Sequence, residues 1–84
     1  MNLETLVQMA NGIGQFFDAM ADRDEALDCV ANHLRRYWAP AMRAQLLAGA
    51  QQEAAAALHP LVAEALRTRQ PLLLPGTPAA TGPR

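Results

Sequence analysis

Two prolines, Pro40 and Pro60, constrain this chain more than any other feature. Proline lacks a backbone donor and its ring clashes with the preceding turn, so neither residue can lie inside a continuing helix; each suits the first turn of a new one. The stretches they divide carry apolar residues at spacings of three and four. Leu3, Leu6, Ala10, Ile13, Phe17 and Met20 make the seam of a packed helix from about Leu3 to Met20, with Asn2 as its cap and Glu4 favourable to its dipole. Asp22 and Glu25 form a capping-box pair for a second helix, Arg23 to Trp38, whose inner face is Leu27, Val30, Ala31, Leu34 and Trp38. The short link between these two predicts an antiparallel pair. A third helix starts at Pro40 and presents Met42, Leu46, Leu47 and Ala50, with Gly49 and the run Ala54 to Ala57 keeping it thin and weakly anchored. A short fourth helix opens at Pro60 with Leu61, Val62, Ala65 and Leu66. The expected fold is all-α, a small bundle of three to four helices with no strand.

From Gln70 the composition changes. Pro71, Pro75, Pro78 and Pro83, with Gly76 and Gly82, predict no regular structure. The chain therefore divides into a helical domain over 1–69 and an irregular Pro/Gly-rich tail over 70–84, extended or disordered. Within that tail Leu72, Leu73 and Leu74 lie between Pro71 and Pro75, a stiffened apolar segment suited to a groove on a partner.

A chain of 84 residues is near the lower limit for a self-sufficient core. The apolar fraction of 51% overstates that core, because much of it is Ala. Cys29 is the single cysteine, so an internal disulfide cannot make up the shortfall, and the lone thiol fits a reducing compartment. A partner or a metal is what remains. Net charge is −1 and the pI near 6.0, which gives no long-range attraction to nucleic acid or anionic lipid. All the basic residues are Arg, the better group for bidentate contacts to carboxylates. Glu4 stands where a signal peptide would be basic, and no stretch reaches the ~18 apolar residues of a membrane span. A cytoplasmic protein is expected, with neither membrane nor nucleic acid as partner.

The candidate chemistry is sparse. Gly12 and Gly14 resemble part of a phosphate loop, but they lie inside an amphipathic helix with no strand upstream. Each costs about 1 kcal/mol relative to Ala in a helix interior, so close approach of another backbone, from helix two or from a partner, is the expected reason for both. Cys29 and His33 share a helix face, yet a structural zinc site needs four ligands and a catalytic one three; Cys29 reads better as a small buried hydrophobe. The acids Asp22, Asp24, Glu25 and Asp28 read as a solvated, capped helix start. No serine exists and no nucleophile–base–orienter spacing is legible, so the chain is not expected to be an enzyme and no cofactor ligands are assigned to it. Arg35, Arg36 and Arg43 flank an inter-helix turn, but an acidic chain with one Arg on its would-be recognition helix is a poor DNA reader.

The block from Asn32 to Leu47 is richer than a small bundle needs. It gathers Arg35, Arg36, Tyr37, Trp38 and Arg43 around Pro40, and Trp, Tyr and Arg dominate the centres of protein interfaces. One reading has Trp38 closing the bundle with solvated arginines; the other has the block meeting a partner. Phe16 and Phe17 are adjacent, as are Tyr37 and Trp38, so one member of each pair must point away from the core. An exposed Phe16 near an exposed Tyr37 would form a binding patch.

Two segments, MANGIGQFF from Met9 to Phe17 and HLRRYWAPAMR from His33 to Arg43, resemble the small delta subunit of NAD-dependent, molybdenum-containing bacterial formate dehydrogenases. Leu-Val-x-Met-Ala-Asn from Leu6 to Asn11 and His-Pro-Leu-Val from His59 to Val62 fit too, and the likeness covers about residues 3–69. The family commonly has Arg directly after the proline, where this chain has Ala41, which shifts the expected interface onto Arg36 and Arg43.

The resemblance implies a non-catalytic accessory subunit within a hetero-oligomer. In such enzymes a large subunit oxidises formate at a molybdenum–bis-pterin guanine dinucleotide centre, and electrons pass through iron–sulfur clusters to FMN and NAD. This chain would dock on that subunit and stabilise the complex or its maturation, with Asn11, Gly12, Gly14 and Phe16 on one contact face and Arg35, Arg36, Tyr37, Trp38, Pro40, Met42 and Arg43 on the other. Trp38 is the expected anchor. The rivals are an assembly factor absent from the mature enzyme and a free-standing helical regulator or homodimer.

Overall fold

The computed structural model describes residues 2–52 and 55–73. Five helices follow one another: α1 (Leu3–Phe17), α2 (Arg23–Tyr37), α3 (Pro40–Ala50), α4 (Pro60–Thr68) and the single turn α5 (Gln70–Leu73), with a 3-10 turn at Ala55–Ala57 before α4. No strand occurs among the described residues, so the fold is the all-α bundle expected.

Local chemistry starts α1 to α4 where the sequence predicts. Asn2 Oδ1 accepts the Thr5 N–H at 2.8 Å, and Asp22 Oδ1 accepts the Glu25 N–H at 3.1 Å. Both prolines open their helices; the residues before them, Ala39 and His59, have ψ of 149° and 137°, as the proline ring demands. Ala39 offers no side-chain cap, whereas His59 Nδ1 accepts the Leu61 N–H at 3.1 Å.

The ends depart from expectation. α1 stops at Phe17, three residues early, because Asp22 must be extended (φ −93°, ψ 117°) to cap α2 and the chain has to leave the first helix before it. Met20 still packs on the core from that link. α2 stops at Tyr37, and Trp38 turns extended ahead of Pro40.

Leu6, Leu27, Val30, Leu34, Leu46, Leu61 and Val62 fill the centre, every one sealed from solvent. α2 packs most extensively on α4 rather than on its sequence neighbour α1, and α1 spreads over α3 and α4 as well as α2. The acid cluster serves that pairing. Arg69 reaches Asp28 at 2.7 Å and Asp24 at 3.7 Å, and Arg23 reaches Glu64 at 2.6 Å. The Asp28 hydrogen bond, against some desolvation, raises the Arg69 pKa above its ordinary value. Asp24 and Asp28 are therefore paired across the bundle instead of merely solvated. These contacts are exposed enough that they orient more than they stabilise.

Two further expectations change. Gly49 does not loosen α3: a Cβ there would lie 2.6 Å from both Leu3 δ-methyls, so the glycine is where α3 closes on α1. The packed unit also runs past the boundary drawn at Arg69. Gln70–Leu73 is helical and Leu73 is 0% exposed, inserted in this chain's own core and not held out for a partner groove. Pro71 is compatible because it falls in the first turn, where no intrahelical donor is needed. Ala54, Leu74 and the rest of the proposed tail lie outside the described residues.

Candidate partner interface

The conspicuous residues of the sequence separate into two sets once the helices pack. The first set is internal. Trp38, the expected anchor, is only 6% exposed and closes the core beneath the α2–α3 turn. Arg43 is 8% exposed and spends its guanidinium on main-chain carbonyls: Nη1 donates to Trp38 O at 2.7 Å, to Arg35 O at 2.9 Å and, more weakly, to Leu34 O at 3.4 Å, while Nε donates to Leu73 O at 2.9 Å. It is thus the C-terminal cap of α2 supplied from α3, with its charge against the negative end of the helix, and it ties α5 to both. Every one of these carbonyls belongs to this chain, so the Arg43 guanidinium is spent inside the fold and not on the contact face expected for it.

Asn11, half-buried, and Gly14, buried, are also engaged within the chain. Asn11 Nδ2 donates to Ala57 O at 2.9 Å and its Oδ1 accepts the His59 N–H at 2.7 Å, pinning the approach to α4 against α1. A Cβ at Gly14 would sit 2.7 Å from Val62 Cγ2 and 3.0 Å from His59 Cγ. The sequence predicts a close approach of another backbone at this glycine; what closes on it instead is side chains, Val62 of α4 and His59 at the α4 N-cap.

The second set faces solvent. Phe16 is 74% exposed and Tyr37 70%, while their neighbours Phe17 and Trp38 turn inward, as the adjacency argument required. A chain of rings connects them: Phe16 lies edge-on to Phe17 at 5.0 Å, Phe17 meets His33 at 6.2 Å, and His33 meets Tyr37 at 4.8 Å. Such contacts prefer these tilted and edge-to-face geometries. The strip crosses from α1 to α2 and borders a groove of about 400 Å³ lined by Met9, Gly12, Ile13, Phe16, Phe17 and His33. Sequence reasoning missed Met9, Ile13 and His33 here; the signal available was the spacing of Met9, Gly12 and Phe16 along one helix face.

Arg35 and Arg36 are exposed and form no ion pair among the described residues; Pro40 is exposed and Met42 half-buried. Cys29, expected to be buried, is half-buried. No group of three or more His, Cys, Asp or Glu side chains is placed to hold a metal ion among the described residues, and no helix there is long and apolar enough to cross a membrane. What the exposed set can offer chemically is an aromatic, π-faced strip beside guanidinium groups, the residue types that concentrate binding energy in interfaces.

A family model described as the NADH-dependent formate dehydrogenase delta subunit, FdsD, matches residues 5–66. No curated protein and no solved structure matches the chain.

Proposed function

The chain belongs to the family of NADH-dependent formate dehydrogenase delta subunits, and we propose that it is a non-catalytic accessory subunit docked on the large molybdenum-containing subunit of that enzyme, stabilising the complex or its maturation. Formate oxidation and electron transfer through iron–sulfur clusters and flavin to NAD are placed in the other subunits. The observation that carries the docking is the strip from Phe16 through Phe17 and His33 to Tyr37, two of whose rings are more than two-thirds exposed. Leaving two large aromatic side chains in water forfeits roughly 1.5–3 kcal/mol of burial for each, which a partner recovers. Of the residues expected at the interface, Gly12, Phe16, Arg35, Arg36, Tyr37 and Pro40 remain available, with Met42 at the edge. Asn11, Gly14, Trp38 and Arg43 act by holding that surface in shape.

The test is to tag the chain at its N-terminus in its own host, purify it, and identify what accompanies it while assaying molybdenum. A stoichiometric large molybdenum–iron protein with formate-dependent NAD reduction supports a resident subunit. An accompanying large subunit without molybdenum supports the assembly-factor reading. Recovery of the 84-residue chain alone contradicts both.

A further inference from the structure

The outer face of α1 has a property that the fold does not require. From Thr5 to Phe17 the helix carries no formal charge, although Thr5, Gln8, Met9, Gly12, Gln15 and Phe16 all face solvent. A helix face meant for water normally carries charged residues. Depletion of charge beside exposed aromatics is the mark of an interface centre.

Gly12 stands in the middle of this face, and nothing among the described residues explains it. A Cβ there meets no atom within 4 Å, unlike Gly14 and Gly49, and its backbone has ordinary helical sign. The residue floors the groove between Met9 and Phe16. A glycine on a helix surface lets a second backbone come closer than any side chain would permit.

We propose that an α-helix of the large subunit crosses α1 at Gly12, sets an apolar side chain into the groove between Met9 and Phe16, and presents a carboxylate to Arg36. This deepens the accessory-subunit reading and rests on it. A helix fits because the described residues offer no sheet edge for strand addition, whereas an apolar groove on a helical surface takes an amphipathic helix. The carboxylate follows from charge complementarity. Arg36 is one turn beyond His33, on the same side of α2, and has no ion-pair partner among the described residues. Asp18, the C-cap of α1 directly after Phe17, faces His59 at 3.9 Å. An uncharged face with an unused guanidinium at its margin selects a helix that is apolar at its centre and acidic at that end.

The experiment captures the large subunit from its host with tagged full-length chains. Gly12→Leu fills the crossing point and Gln15→Glu puts a charge in the uncharged face at almost unchanged volume; Ala44→Leu adds a similar apolar side chain, one carbon less in added bulk, on the exposed side of α3. Both α1 variants are expected to lower captured large subunit at least tenfold, while accumulating to the wild-type level with wild-type helical circular dichroism. Ala44→Leu should capture as the wild type does. If the wild type captures the large subunit and both α1 variants capture it equally, the crossing at Gly12 is overturned while the accessory reading stands. If the wild type captures nothing, the accessory reading fails and this assignment with it. A chain that is dimeric alone and made monomeric by Gly12→Leu would give the face to a second copy of itself and overturn the proposal.

Discussion

The end of the molecule around Arg43 and the face around Phe16 draw on the same residue types and use them in opposite ways. At the Arg43 end an aromatic and a guanidinium are sealed inside: Trp38 closes the core, and Arg43 feeds three carbonyls near the end of α2 and one in α5. On the α1–α2 face aromatics stand in water beside Arg36. The difference is one of unpaired backbone. The break at Pro40 leaves the last carbonyls of α2 without intrahelical donors, and a buried carbonyl without a partner is costly, so an arginine is drawn in. Phe16 and Tyr37 stand near the ends of α1 and α2 as well, yet their rings face solvent. Interface-like residue types beside a helix break can thus be drawn inward by the break's own carbonyls, and their exposure, not their type, is what speaks for a partner.

The contrast breaks most sharply at the adjacent pair Tyr37 and Trp38. Trp38→Ala should lower stability by about 3–5 kcal/mol, since it empties a sealed site. For a chain of this size each kcal/mol moves Tm by roughly 4–8 °C, which thermal circular dichroism resolves. A loss of complex in that variant would then report unfolding, not a missing anchor. Arg43→Met comes next, at about 2–4 kcal/mol, because it strands buried carbonyls that a methionine cannot serve. A small effect there would mean that those carbonyls find other donors.

The glycines sharpen the comparison at smaller scale. Gly14→Ala pushes a methyl group against Val62, which is fully buried, and should cost about 1–3 kcal/mol. Gly49→Ala meets the side chain of the half-buried Leu3, its δ-methyls and Cγ, which can swing toward solvent, so its loss of Tm should be the smaller of the two. Gly12→Ala meets nothing and should instead raise stability by up to about 1 kcal/mol through helix propensity. The order Gly12 above Gly49 above Gly14, read as Tm in one series, tests the packing of α1 directly. Smallest of all, the double variant Phe16→Ser, Tyr37→Ser should move stability by only about 0.5 kcal/mol, as surface changes do, yet cut capture of the large subunit. A strong loss of Tm in that variant would show that the strip belongs to the core.

Much of the architecture was legible before any coordinates. Asn2, Asp22, Pro40 and Pro60 each act within a few residues of themselves, so their helix starts could be read from local chemistry. The inner face of α2 was legible for the same reason, as was the division within Phe16–Phe17 and Tyr37–Trp38, because successive residues on a helix point about 100° apart. The inward members were legible too, since Phe17 and Trp38 fall on the apolar seams; the pairing of α2 with α4 was not. Leu73 illustrates the limit: beside Pro71 and Pro75 it reads as an irregular tail, but Arg43 and the core give its turn a place to fold.

By itself, then, the amino-acid sequence determined an all-α chain with its helix starts, its apolar seams and, through the segments around Met9–Phe17 and His33–Arg43, its family. Only the tertiary structure decided the roles inside those segments, committing Asn11, Gly14, Trp38 and Arg43 to contacts within the chain and leaving Gly12, Phe16, Arg36 and Tyr37 on the surface. The reason is physical. Helix starts and periodicity are set by neighbours in sequence, whereas burial depends on which distant element arrives opposite: α4 at Gly14, α5 at Arg43, and no part of the described chain at Gly12.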